Sequence, residues 1–182
     1  MIAALLAAAT VAASPPTVLG LQLGAPLSLP ECPLLRAPDI YEPPDMATAE
    51  CWAAMPNAQH ETLIVLPEAK LLTYDYLEQV HGVRVIDGNI ECIDLSTRGH
   101  TAQDAAMAIL IEKFGQPTKQ SSTAVQNGFG AIFLARSAQW NRDGYVVKFD
   151  GVDSSLDQGR ITIRTAKCMD YEIQHAQRPG RL

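Results

Sequence analysis

The chain has no CxxC pair, no HExxH helix, no GxSxG elbow, no glycine-rich phosphate loop and no excess of basic charge. Each absence removes a class of function. Without CxxC, thioredoxin-like redox chemistry and zinc-ribbon sites lose their ligands. His60, His81, His100 and His175 fall at no metal-ligand spacing, so no metal or other cofactor is expected. Twenty acidic residues against fourteen Lys and Arg give a net charge of −6, which disfavours nucleic acid and anionic membranes, since both require a basic face. The longest apolar stretch, Ile2 to Ala13, is interrupted only by Thr10. As a helix it spans about 18 Å against the roughly 30 Å core of a bilayer, so no integral membrane segment is expected in the mature chain.

What is present starts with that same stretch. An apolar run ending in small residues is the pattern of a signal peptide, expected over residues 1–13 with cleavage between Ala13 and Ser14 and with Val11 and Ala13 at the two small positions. No Lys or Arg follows Met1, which leaves only the α-amino group as positive charge. Cys32 is preceded by Glu31 and lies far past the apolar run, so no lipobox is present. The expected location is the periplasm or the extracellular medium. Four cysteines, Cys32, Cys51, Cys92 and Cys168, are then expected to form two disulfides. Three connectivities are open. Cys32–Cys51 with Cys92–Cys168 is favoured, because the first closes a short loop around a proline-rich segment with little else to order it.

Composition that is 47% hydrophobic and 19% charged is globular. The expectation is one α+β domain over residues 14–173, with an irregular proline-rich half over 14–80, a sheet and helix over 81–173, and a flexible polar tail over 174–182. Seven prolines between Pro26 and Pro56 argue against long regular elements there. The alternating Leu19–Gly24 segment suggests an edge strand, Glu61–Leu66 a strand, and Glu68–Val80 a short helix. Asp87-Gly88-Asn89 between Val83–Ile86 and Ile90–Leu95 supplies the positive φ angles of a tight hairpin. Thr101 with Asp104 resembles a capping box, Met107, Leu110, Ile111 and Phe114 form one apolar stripe, and Gly115 with Pro117 ends the helix. A long strand over Phe129–Trp140, apolar on both faces, turns at Asp143-Gly144 into Tyr145–Phe149. A polar loop over Asp150–Gly159 leads to the alternating strand Arg160–Thr165. The order from residue 83 is therefore β-β-α-β-β-β: an antiparallel sheet with an amphipathic helix on one face.

Asp150, Asp153 and Asp157 resemble a calcium loop only loosely, since the EF-hand glycine and terminal Glu are missing. Tyr41 and Trp52, in or beside the acidic proline-rich loop, and Trp140 near the second turn are the candidate partner-binding aromatics. Phe114-Gly115-Gln116-Pro117-Thr118, Gln126-Asn127-Gly128-Phe129-Gly130-Ala131 and Ala138-Gln139-Trp140 resemble segments of small exported proteins of Gram-negative bacteria. The helix followed by an antiparallel sheet is similar to the repeats of the β-lactamase-inhibitor-protein-like fold. The resemblance covers about residues 80–168, carries over no binding residue, and implies protein binding rather than catalysis. The expected function is a non-enzymatic, exported protein-binding domain, of the inhibitor or immunity kind. The alternatives are a hydrolase assembled from scattered groups, such as His81 or His100 with a carboxylate, and a structural envelope component.

Overall fold

The computed structural model describes residues 16–32, 49–54, 61–67, 70, 72–78 and 80–176. The expected signal peptide and Tyr41 lie outside them.

An eight-stranded antiparallel sheet organises the chain. A separate hairpin, β1 (Thr17–Val18) and β2 (Leu21–Gln22), precedes it. The sheet strands are β3 (Cys51–Ala54), β4 (Glu61–Val65), β5 (Val80–Ile86), β6 (Asn89–Thr97), β7 (Lys119–Gln126), β8 (Ile132–Arg142), β9 (Tyr145–Ser155) and β10 (Gln158–Thr165). Their spatial order is β3-β4-β5-β6-β10-β9-β8-β7. Two four-stranded meanders thus meet at the centre, where β6 pairs antiparallel with β10. A helix follows each meander: α1 (Gln103–Phe114), after a 3₁₀ turn at Gly99–Thr101, and α2 (Ala166–Ala176). The fold is α+β, as expected.

Strand alternation puts Val83, Ile93, Ile163, Val147 and Trp140 in one cross-strand row. That face is the core. Ala106, Met107, Leu110 and Phe114 of α1 pack against it, and Val18, Leu21 and Leu23 of the N-terminal hairpin join the same cluster. The other face carries α2. Its Cys168 is bonded to Cys92 of β6. Its Glu172 carboxylate accepts hydrogen bonds from Arg84 and from Arg164 Nε, each at 3.0 Å. The second disulfide joins Cys32 to Cys51 at the start of β3.

Several expectations need correction. Four strands follow α1, not three, because the polar segment Lys119–Gln126 is strand β7. The N-terminal part is not irregular throughout: β3 and β4 extend the sheet. Leu19 and Gly20, both at positive φ, make the Leu19–Gly24 segment the turn and second arm of a hairpin. Of the expected helix over Glu68–Val80, Lys70 is helical, whereas residues 72–78 hold turns rather than helix and Leu77 bridges to Thr97. Thr101 does not cap α1: its hydroxyl donates to the Arg98 carbonyl at 2.9 Å and the helix starts at Gln103. The expected polar loop over Asp150–Gly159 is instead the end of β9, a turn at Leu156 and Asp157 and the start of β10, so Asp150 and Asp153 lie in a strand. Residues 174–176 of the expected tail belong to α2, which the Cys92–Cys168 bond and Glu172 hold to the sheet.

Candidate interaction surface

The two edges of the sheet are built differently. Along β3 the Cys32 N–H donates to the Trp52 carbonyl at 2.7 Å, and Trp52 N–H donates to the Pro30 carbonyl at 2.9 Å. The Cys32–Cys51 disulfide ties this cover down. On the far side β7 pairs with β8 in uninterrupted register from Lys119↔Gln139 to Gln126↔Ile132. Its outer side faces no other strand among the described residues. Proline, inward-pointing charge and bulges are the usual devices that blunt such an edge, and β7 has none of them beyond Lys119 at one end.

The β7–β8 pair also leaves the sheet. β8 matches β9 only between Ser137↔Asp150 and Arg142↔Tyr145, after which β9 continues with β10. Outward from Arg136 the two strands form a free ribbon. Gln103, at the first position of α1, fills the fork. Its Nε2 donates to the Leu134 carbonyl at 2.8 Å and its Oε1 accepts from the Arg136 N–H at 2.9 Å, replacing the hydrogen bonds that β9 no longer supplies. Gly151 makes room for this side chain: an added Cβ there would stand 2.9 Å from Gln103 Cβ. His100 packs edge-on to Phe133 with ring centroids 4.8 Å apart.

The ribbon ends in an ordered turn. Asn127 Oδ1 accepts from the N–H groups of Phe129 at 3.0 Å and Ala131 at 2.9 Å, and Gln126 Nε2 donates to the Gly130 carbonyl at 3.0 Å. Phe129 is held at its apex with 98% of its surface exposed, while Ile132 and Leu134, on one face of β8, are 71% and 59% exposed. Single exposed apolar residues are ordinary, but these three share one ordered ribbon whose outer edge has no partner strand among the described residues.

The sheet face opposite α1 is polar beyond α2. Lys119, Gln139 and Lys148 form one cross-strand row and Ser121, Ser137 and Asp150 the next. Together they line an open groove of about 450 Å³. Ser121 and Ser137 hydroxyls are 2.7 Å apart. Burial, with the nearby Asp153 charge, raises the Asp150 carboxyl above its ordinary value. Toward the centre, Arg164 bonds Asp94 at 2.7 Å, and Arg160 bonds Asp153 at 2.8 Å. These arginines are matched by carboxylates, so this part of the face is electrostatically closed. Cys92, Cys168 and Glu172 lie within ligand distance of one another, but both sulfurs are committed to the disulfide.

The sequence-derived aromatics are not brought together. Trp140 is fully buried, its Nε1 donating to the Gly115 carbonyl at 2.7 Å, so it is a core residue and not a surface anchor. Trp52 is half-buried on edge strand β3, against the core cluster. Of the histidines weighed for catalysis, His100 meets Phe133 and, among the described residues, has no carboxylate partner. Sequence reading passed over the exposed trio because Phe129, Ile132 and Leu134 look like core residues of a long strand. The signal that could have separated them is length: a helix of twelve residues cannot cover two eleven-residue strands and their extension.

Comparison of the chain with protein-family models, curated proteins and solved structures finds no match.

Proposed function

We propose that the protein is an exported, non-enzymatic protein-binding domain, an inhibitor or immunity protein of the cell envelope, whose contact surface is the projecting β7–β8 ribbon. The observation that carries this reading is the exposure of Phe129, Ile132 and Leu134 on a ribbon with an ordered turn and an edge that has no partner strand among the described residues. Burying the three side chains would contribute on the order of 5 kcal/mol before the costs of association. Because the turn already fixes Phe129, little further ordering is required on binding. Two disulfides fit a periplasmic or extracellular location, and the apolar segment ending at Ala13 would supply the export signal. No described helix is long and apolar enough to cross a membrane.

The test is affinity capture with the oxidised protein from envelope and culture fractions, run beside the Ile132→Asp variant. A discrete protein retained by the wild type and lost with the variant is the expected result. Identical retention by both, or none by either, contradicts the reading.

A further inference from the structure

The ribbon offers more than apolar side chains: β7 presents eight residues of backbone edge in full register with β8. We propose that the partner contributes an extended segment that adds as a ninth strand along β7, with acidic side chains on one face and apolar side chains on the other. This rests on the reading of the ribbon as the contact surface.

Alternation assigns the two faces. Lys119 and Ser121 line the polar groove, beside Gln139 and Lys148 of the neighbouring strands, and Thr123 lies on the same face of β7. Neither Lys119 nor Lys148 has an ion-pair partner among the described residues. A carboxylate opposite Lys119 completes the row. On the other face Ala124 pairs with Leu134, and Gln126 pairs with Ile132. The methyl group of Ala124 leaves Leu134 open to an apolar side chain on an added strand, at the diagonal distance long side chains span. A strand residue opposite Lys119 and one opposite Ala124 are five apart and point to opposite faces, so one alternating segment satisfies both.

A second copy of the chain fits less well. Pairing β7 with itself supplies no carboxylate to Lys119, since the strand contains no acidic residue, and both copies carry a charge of −6.

The experiment uses the oxidised protein and three synthetic nine-residue probes: alternating Val/Glu, alternating Val/Lys, and a scramble of the first in which alternation is lost. Binding is followed by NMR shifts and by amide exchange. The Val/Glu peptide is expected to bind about fivefold more tightly than Val/Lys, the upper range for a cross-strand charge pair. It should protect β7 amides that are open in the free protein, and Lys119→Glu should reverse the preference. N-methylation of the peptide at the residues that face β7 should abolish binding.

Shifts at Ile132 and Leu134 without charge preference, or without β7 protection, would overturn strand addition while leaving the ribbon as the contact surface. The absence of shifts with every probe would overturn both. Protection of β7 that depends on protein concentration alone would overturn the proposal in favour of a homodimer.

Discussion

Around the end of α1, three residues fix one turn of chain. Gly115, at φ 73°, reverses direction and donates its N–H to the Ile111 carbonyl at 2.8 Å. The carbonyls left without helical partners are taken up by the sheet: Arg142 Nε donates to Phe114 O at 3.1 Å, its Nη2 to Gln116 O at 3.0 Å, and Trp140 Nε1 to Gly115 O. Arg142→Ala removes charged donors from carbonyls that are partly out of water, and is expected to cost about 2 kcal/mol in urea unfolding. Arg142→Lys should recover less than half of that, because an ammonium cannot reach several carbonyls in a fixed fork. Elsewhere in the core, burial pushes the Tyr76 hydroxyl up to about 12 from 10.0, with Tyr74 and Asp75 adding to the shift. A folded-state value above the unfolded one favours the neutral phenol in the folded protein. Its stabilisation is therefore complete below about pH 10 and is lost as pH rises through about 12. Stability measured between about pH 9 and 11 should fall less steeply in Tyr76→Phe than in the wild type.

Elements depend on what joins them. Gln103 stands where β8 parts from β9, and it bonds both the Leu134 carbonyl and the Arg136 N–H at the fork. Gln103→Leu keeps the volume but orphans both groups. The expected outcome is faster exchange of the Arg136 amide, with loosening of the ribbon base and only a small change in global unfolding, read by NMR hydrogen exchange.

This junction also marks the boundary of what the sequence makes legible. The β5–β6 hairpin is readable because Asp87 and Gly88 both occupy positive φ, which few other residue pairs tolerate. The stop of α1 is readable for the same reason at Gly115. Strand β7 is hidden because Lys-Gln-Ser-Ser-Thr-Ala-Val-Gln buries neither face and so has no hydrophobic period to betray it. Helix α2 is hidden because a disulfide and the Arg84–Glu172–Arg164 bridge attach it, rather than an apolar stripe. Trp140 and Phe129 are both apolar and eleven residues apart, one wholly buried and the other wholly exposed. What separates them is where α1 ends relative to the sheet, a tertiary fact.

At the scale of the whole molecule the two disulfides have unequal tasks. Cys32–Cys51 closes a loop of 19 residues and covers the β3 edge. Cys92–Cys168 spans 76 residues and ties the last helix to the centre of the sheet. By the chain-entropy argument, replacing each pair with alanines should cost about 3 and about 4.5 kcal/mol respectively, so loss of the second is expected to lower the urea midpoint further. Losing the first should, in addition, uncover the β3 edge and increase aggregation at high protein concentration. Among the described residues the sheet is thus closed at one edge and open at the other, and the open edge carries the exposed ribbon.

The most direct measurement of the central claim is site-specific photocrosslinking in cells, with a benzophenone side chain placed at Phe129 and, as a control, at the exposed α1 position Glu112. The expected result is one discrete adduct with another protein from position 129, absent from position 112 and abolished by Ile132→Asp. Uncrosslinked monomer at position 129, or the same scatter of products from both positions, would contradict it.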